Sequence, residues 1–234
     1  MIEVAGLAKV YAGQAALRGV SLTVPAGSIL AVLGHNGSGK TTLVRILATL
    51  TRPTAGGGRV AGHDLVRERE AVCRDVALAG HETQLYDDLT VGENLRFAAE
   101  LAGRPQGADR VAAALARVGL HSHADVRVRA LSSGMRRRVS LARAMLKEAR
   151  VLLLDEPFAG LDHQGIAQLE DFLRRFKEAG GSGIVVTHSQ SRALAVADQV
   201  AVLAAGRLTG RVAGAGVTEA ALHHLVRAAT DAHG

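Results

Sequence analysis

Residues 29–49 read ILAVLGHNGSGKTTLVRILAT: a short apolar run, a glycine-rich turn and an apolar-periodic stretch, in that order. The turn, GHNGSGKT at 34–41, fits G-x-x-x-x-G-K-[ST], a loop that cradles phosphate. The flanks matter as much as the string, because the chemistry needs a strand before the loop and a helix after it. Gly34, Gly37 and Gly39 let the backbone wrap closely around phosphate oxygens. The loop amides, those of His35, Asn36 and Ser38 among them, then point inward, and the helix N-terminus adds its positive end. Lys40 supplies a point charge to β- and γ-phosphates. Thr41 offers a hydroxyl to Mg²⁺, a hard cation that prefers oxygen, and Thr42 follows in the first helical turn.

A second signal lies far downstream. Val151–Leu154 is an apolar run that ends in Asp155–Glu156, placing two carboxylates at the C-terminal end of a buried strand. Ligands of open α/β sheets bind at that edge. Asp155 is expected to hold Mg²⁺ and Glu156 to polarise an attacking water as general base. Pro157 stops the strand. Further runs with the pattern of buried parallel strands are Ser28–Leu33, Asp75–Ala79, Gly183–Val186 and Gln199–Leu203. Helical patterns separate them at Lys40–Thr49, Val91–Leu101, Asp109–Val118, Ser132–Leu146, His163–Ala179 and Ser191–Ala197. The alternation predicts an α/β fold with helices on both faces of a sheet. Ile2–Val10 and Leu17–Val24 predict an antiparallel β piece beside it, and Gly56–Gly58 and Gly180–Gly183 read as turns. Strand signals vanish between about 87 and 147. The expected organisation is therefore one domain over 1–234, with an α/β core at about 1–86 and 148–210. A helical lobe is inserted at about 87–147, and a helical tail follows at about 217–234.

Composition narrows the function classes. In 234 residues, 48% are hydrophobic, so the chain can bury a core. The single cysteine, Cys73, excludes an internal disulfide, a cysteine zinc site and a CxxC redox pair. No apolar run reaches the length of a membrane span, and MIEVAGLAKV lacks the pattern of a secretory leader, so a soluble, cytoplasmic chain is expected. Net charge is +6, and residues 104–150 alone hold eleven Arg or Lys against three acids. Such a segment reads either as a solvated helical face or as a polyanion contact. His121 and His123 beside Asp125 lack a third metal ligand, and His223–His224 read as surface residues.

Between the phosphate loop and the acidic strand end lies LSSGM, Leu131–Met135, followed by RRRVSLARA. This resembles the LSGGQ signature of ATP-binding-cassette (ABC) ATPases. AGLD at Ala159–Asp162 resembles that family's D-loop, and Thr187–His188 its switch histidine. The resemblance covers about residues 2–210 and implies a P-loop NTPase core with an N-terminal antiparallel β subdomain and an inserted α-helical subdomain. It implies ATP with Mg²⁺, Tyr11 stacked on adenine, and His188 on the γ-phosphate of its own site. It implies a homodimer in which Ser132, Ser133 and Gly134 close over ATP bound to the partner, with Asp162 at the seam. At the family's Gln position, a water and Mg²⁺ ligand, this chain has His81, whose imidazole suits Mg²⁺ poorly; a water-mediated role is expected there.

GHETQLYDDLTVGENLRF at 80–97 and DEPFAGLDHQG at 155–165 resemble the ATP-binding subunit of the cytochrome c maturation haem exporter, the CcmA family. That resemblance implies an ATP hydrolase peripheral to the cytoplasmic side of the inner membrane. It would energise a separate integral membrane permease through residues near His81–Asp88, with no nucleic acid partner. Exporters of drugs, polysaccharide or Na⁺, and a soluble Fe–S assembly ATPase, remain as alternatives.

Overall fold

A computed structural model describes residues 1–80, 83–103 and 107–231. In chain order the first elements are β1 (Ile2–Tyr11), β2 (Gln14–Val24), β3 (Ile29–Leu33), α1 (Lys40–Leu47), β4 (Ala55–Val60), β5 (His63–Asp64), α2 (Arg69–Asp75) and β6 (Val76–Ala79). Three helices follow: α3 (Val91–Leu101), α4 (Ala108–Arg117) and α5 (Ser133–Leu146). The chain then runs through β7 (Val151–Asp155), α6 (His163–Glu178), β8 (Ser182–Val186), α7 (Gln190–Val196), β9 (Gln199–Ala204), β10 (Arg207–Ala213) and α8 (Glu219–Asp231).

Two sheets result. An antiparallel sheet is ordered β2-β1-β4-β5, and a six-stranded sheet is ordered β10-β9-β3-β8-β7-β6. In the second sheet every pairing is parallel except β9 with β10. Strands β3, β7, β8 and β9 are buried along their whole length, as parallel strands covered on both faces must be. Alternate side chains divide between the faces. Leu30, Val32, Val151 and Leu153 pack with Leu43 and Leu47 of α1, while Leu152 and Leu154 pack with Val139 and Ala142 of α5 and Leu169 of α6.

Register brings the functional ends together. Val32 of β3 pairs with Val186 of β8, and Val186 pairs with Asp155 of β7. The residues after these three strand ends, Gly34 onward, Thr187 onward and Glu156 onward, therefore leave the sheet along one edge.

Local chemistry fixes the helices. α3 opens with a reciprocal capping box: the Thr90 hydroxyl accepts from the Glu93 amide, and the Glu93 carboxylate accepts from the Thr90 amide. That amide holds the Glu93 carboxyl below the usual glutamate range. Buried Asn94 accepts from the Tyr86 amide at 2.7 Å and donates to the carbonyls of Tyr86 and Thr90, both at 3.0 Å, which shapes the turn entering α3. Ser132, Asp162 and Ser189 cap α5, α6 and α7.

Two expected turns are corrected. Gly56–Gly58 lie inside β4, not in a turn. A Cβ at Gly56 would stand 2.2 Å from the Gly6 carbonyl oxygen, and one at Gly58 would stand 2.1 Å from that of Glu3. These glycines are there because β4 lies backbone against backbone on β1. Gly183 belongs to β8, so the turn after α6 ends before it. α2 and β10, for which the sequence pattern gave no expectation, complete the fold, and the tail helix α8 buries Leu222 against the β9 side of the sheet.

Leu153 is fully buried at the centre of β7. Leu153→Ala is expected to cost about 3 kcal/mol, measured as a fall in the urea midpoint at unchanged slope.

Candidate active site

The loop between β3 and α1 has the conformation its glycines permit. Gly34, Gly37 and Gly39 have φ of +155°, +79° and +106°. At Gly34 a Cβ would lie 2.2 Å from the Leu203 carbonyl oxygen, and at Gly39 one would lie 2.5 Å from that of Ala16. Glycine is required here both for backbone angle and for space. The loop is also tied to the far end of the chain, since the Gly206 amide donates to the Ser38 carbonyl at 3.0 Å. Ser38 Oγ is buried and has no hydrogen-bond partner among the described residues.

Buried Lys40 curls its ammonium back over the loop and donates to the carbonyls of Gly34 and His35, each at 2.7 Å. Burial pushes its pKa below the ordinary lysine value, opposed by the nearby carboxylates of Glu156 and Asp155. A cavity of about 400 Å³ opens over the loop, lined by Asn36, Gly37, Gly39, Lys40, Thr41, Thr42, Asp155 and Glu156, with Ala16 of β2 as a wall.

The two motifs meet directly. Thr41 Oγ1 donates to Asp155 Oδ2 at 2.9 Å. A hydroxyl and a carboxylate, both hard oxygen donors, face the same cavity, and this donor set fits Mg²⁺. Glu156 has φ of +53°, a left-handed conformation that costs a non-glycine residue on the order of 1–3 kcal/mol. Its amide donates to the Val186 carbonyl at 2.9 Å. Its carboxylate accepts from Thr187 Oγ1 at 3.3 Å, and its Oε1 lies 2.9 Å from His188 Nδ1. With the proton on Nδ1 the imidazole donates to Glu156 and leaves Nε2 free; the His188 side chain is exposed. The structure thus brings together Lys40, Thr41, Asp155, Glu156 and His188.

Other expected residues lie elsewhere. Tyr11, exposed at the end of β1 beneath the Lys9 ammonium, which stands 4.9 Å from its ring centroid, does not line the cavity. Exposed Ser132 accepts from the Met135 amide at 3.2 Å, and with Ser133 and Gly134 it forms the N-terminus of α5 outside that cavity. The Ala159–Asp162 turn runs beside this tip: a Cβ on Gly160 would meet Gly134 Cα at 3.9 Å. Asp162 Oδ1 accepts from the Gly165 amide at 2.8 Å. His81 lies outside the described residues. Sequence reasoning assigned no contact to Ala16, which nothing in a β-strand alanine signals, or to the Thr187 hydroxyl on Glu156.

The fold and the loop define a P-loop nucleoside-triphosphatase fold of the ATP-binding-cassette type. The ABC transporter family matches residues 17–159, and the chain belongs to that family. It is 38% identical over 209 residues to the daunorubicin/doxorubicin resistance ATP-binding protein DrrA of Streptomyces peucetius, covering 88% of this chain. The match spans less than two thirds of that relative's length, 63%. It is 42% identical over 192 residues to the cytochrome c biogenesis ATP-binding export protein CcmA of Aromatoleum aromaticum, covering 82% of this chain and 90% of that one. Among solved structures, an ATP-binding subunit of an ABC transporter superposes with a TM-score of 0.84 at 27% identity, over 99% of this chain and 97% of that one.

Gly34→Ala is expected to displace the loop from the Leu203 carbonyl. The measurement is thermal melting with and without Mg-ATP, where the ligand-induced rise in Tm should disappear.

Proposed function

We propose that this chain is the ATP-binding and hydrolysing subunit of an ABC transporter, working as a homodimer on a separate integral membrane permease. The observation that carries this is the Glu156–His188 pair, set at the strand edge beside the Thr41–Asp155 contact and the phosphate loop. Loop amides and Lys40 bind the β- and γ-phosphates of ATP. Thr41 and Asp155 would hold Mg²⁺, which neutralises phosphate charge when bound. Glu156 accepts a proton from the water that attacks the γ-phosphorus, the bond to the β–γ bridging oxygen breaks, and ADP and phosphate result. His188 fixes the Glu156 carboxylate through Nδ1–H, and a hydrogen bond from Nε2 to the γ-phosphate requires a proton on that nitrogen as well.

Ser132–Gly134 stand outside their own chain's cavity, where a helix N-terminus and a hydroxyl suit an anion carried by a second copy. Tyr86 and Phe97, edge to face with centroids 5.3 Å apart, are exposed, as is Leu101. Leu101 lines an apolar groove of about 410 Å³ between α2–β6 and α3–α5, and this face suits the permease. No helix among the described residues is long and apolar enough to cross a membrane. In this reading the permease spans the inner membrane and this chain sits peripherally at its cytoplasmic side. No nucleic acid partner is proposed.

Within transport, the haem export and cytochrome c biogenesis complex is the favoured setting. The segments 80–97 and 155–165 support it, and so does a similarity that takes in 90% of a CcmA protein. The second reading is drug export, favoured by the similarity to DrrA over 88% of this chain. Co-purification with the membrane protein encoded beside it separates them. Stimulation of ATP hydrolysis by haem-chaperone components supports the first, and stimulation by an anthracycline supports the second.

Glu156→Gln tests the hydrolytic assignment itself. It should lower kcat by about a hundredfold or more while ATP still binds, and Mg-ATP should then accumulate a dimer on gel filtration. Normal turnover by this variant would remove Glu156 as the base.

A further inference from the structure

Glu156 keeps its left-handed backbone only because its surroundings over-determine it. On the nucleotide side the restraint is the contact of its carboxylate with Thr187 and His188. The two segments that carry these groups are joined a second time, outside the cavity lining, by Arg192. This residue lies in α7, and its amide donates to the capping hydroxyl of Ser189 at 3.4 Å. Its guanidinium carbon stands 5.9 Å from the ring centroid of buried Phe158, two residues beyond Glu156. Its Nη1 lies 3.3 Å from Glu170 Oε1 of α6, the helix that Asp162 caps. Both side chains are two-thirds covered, with exposures of 34% and 31%. The path from Glu156 through Phe158, Arg192 and Ser189 to His188 and back to Glu156 is therefore a closed ring.

We infer that Arg192 is a positioning residue for hydrolysis: by clamping Phe158 and Glu170 onto α7 it holds the Glu156–His188 pair in register and ties that pair to the Asp162 turn. The inference rests on the proposed ATP hydrolysis. A planar guanidinium can lie over a ring and still donate to a carboxylate, which a neutral side chain of the same length cannot. Arg192 pairs with Ser189, Glu170 and Phe158, and the hydrogen bonds of Lys40 and Thr41 go to Gly34, His35 and Asp155 instead, so opening the ring leaves them in place. Binding of ATP should survive while the chemical step suffers.

The test is steady-state Mg-ATP hydrolysis by the full chain, with thermal melting recorded on the same samples. Arg192→Met should lower kcat about tenfold with KM for ATP within about twofold of the parent. Arg192→Lys, which keeps a cation near the ring, should fall between the two. Glu170→Gln should lower kcat about threefold at a parental Tm, and the double variant should be no slower than Arg192→Met alone, because both changes break one contact. A parental kcat in Arg192→Met overturns the inference, as does a loss that Lys does not relieve and that adds to the loss from Glu170→Gln. Should Arg192→Met not fold, Arg192→Lys and Glu170→Gln decide, and parental kcat in both overturns it. A parent chain that hydrolyses ATP and is silenced by Glu156→Gln, with Arg192→Met at full rate, removes this inference and leaves the proposed function standing. A parent chain that does not hydrolyse ATP removes both.

Discussion

The parallel register of β3, β8 and β7 is the constraint on which the rest depends. Val32, Val186 and Asp155 stand side by side, so three loops far apart in sequence leave the sheet at the same level. One becomes the phosphate cradle, one carries Thr187 and His188, and one carries Glu156. A slip of one residue in either pairing would turn every buried side chain of that strand to the opposite face. The two packed faces, Leu153 toward α1 and Leu154 toward α5 and α6, therefore enforce the same alignment that the site needs.

At that edge, charge is arranged with little slack. The Lys40 ammonium is buried, and its two near carboxylates each have another partner: Asp155 accepts from Thr41, and Glu156 accepts from Thr187. Loop carbonyls hold the lysine where phosphate oxygens would otherwise meet it. Backbone strain at Glu156 belongs to the same arrangement, because an extended backbone there would turn the carboxylate away from Thr187 and His188.

Much of this was legible in the residues. Apolar runs with buried-strand character predicted all of the parallel strands to within about a residue, since burial on both faces leaves a continuous signal. The phosphate loop and the acidic strand end could be placed because their spacing is dictated by chemistry. β4 could not be: GGGR looks like a turn until the closeness of β1 is known, and backbone-to-backbone contact leaves no side-chain pattern to read. α2 is short and buries Val72 alone, and β10 alternates exposed with half-buried positions, so neither carries the continuous apolar run that marks the parallel strands. Within the site, the Thr187 hydroxyl and the Ala16 wall follow from the fold, not from residue type. Arg192 is one arginine among many until α6 and α7 are laid side by side.

The tie between the Gly206 amide and the Ser38 carbonyl reaches beyond the finished molecule. β3 has β8 and β9 as its neighbours, both made late, and the turn that braces the phosphate loop is made later still. During synthesis the glycine cradle leaves the ribosome long before anything exists to lean on. A nascent chain that ends at α6 thus carries the full nucleotide motif without its shape, and competence for triphosphate waits on the synthesis of β8, β9 and the turn at Gly206.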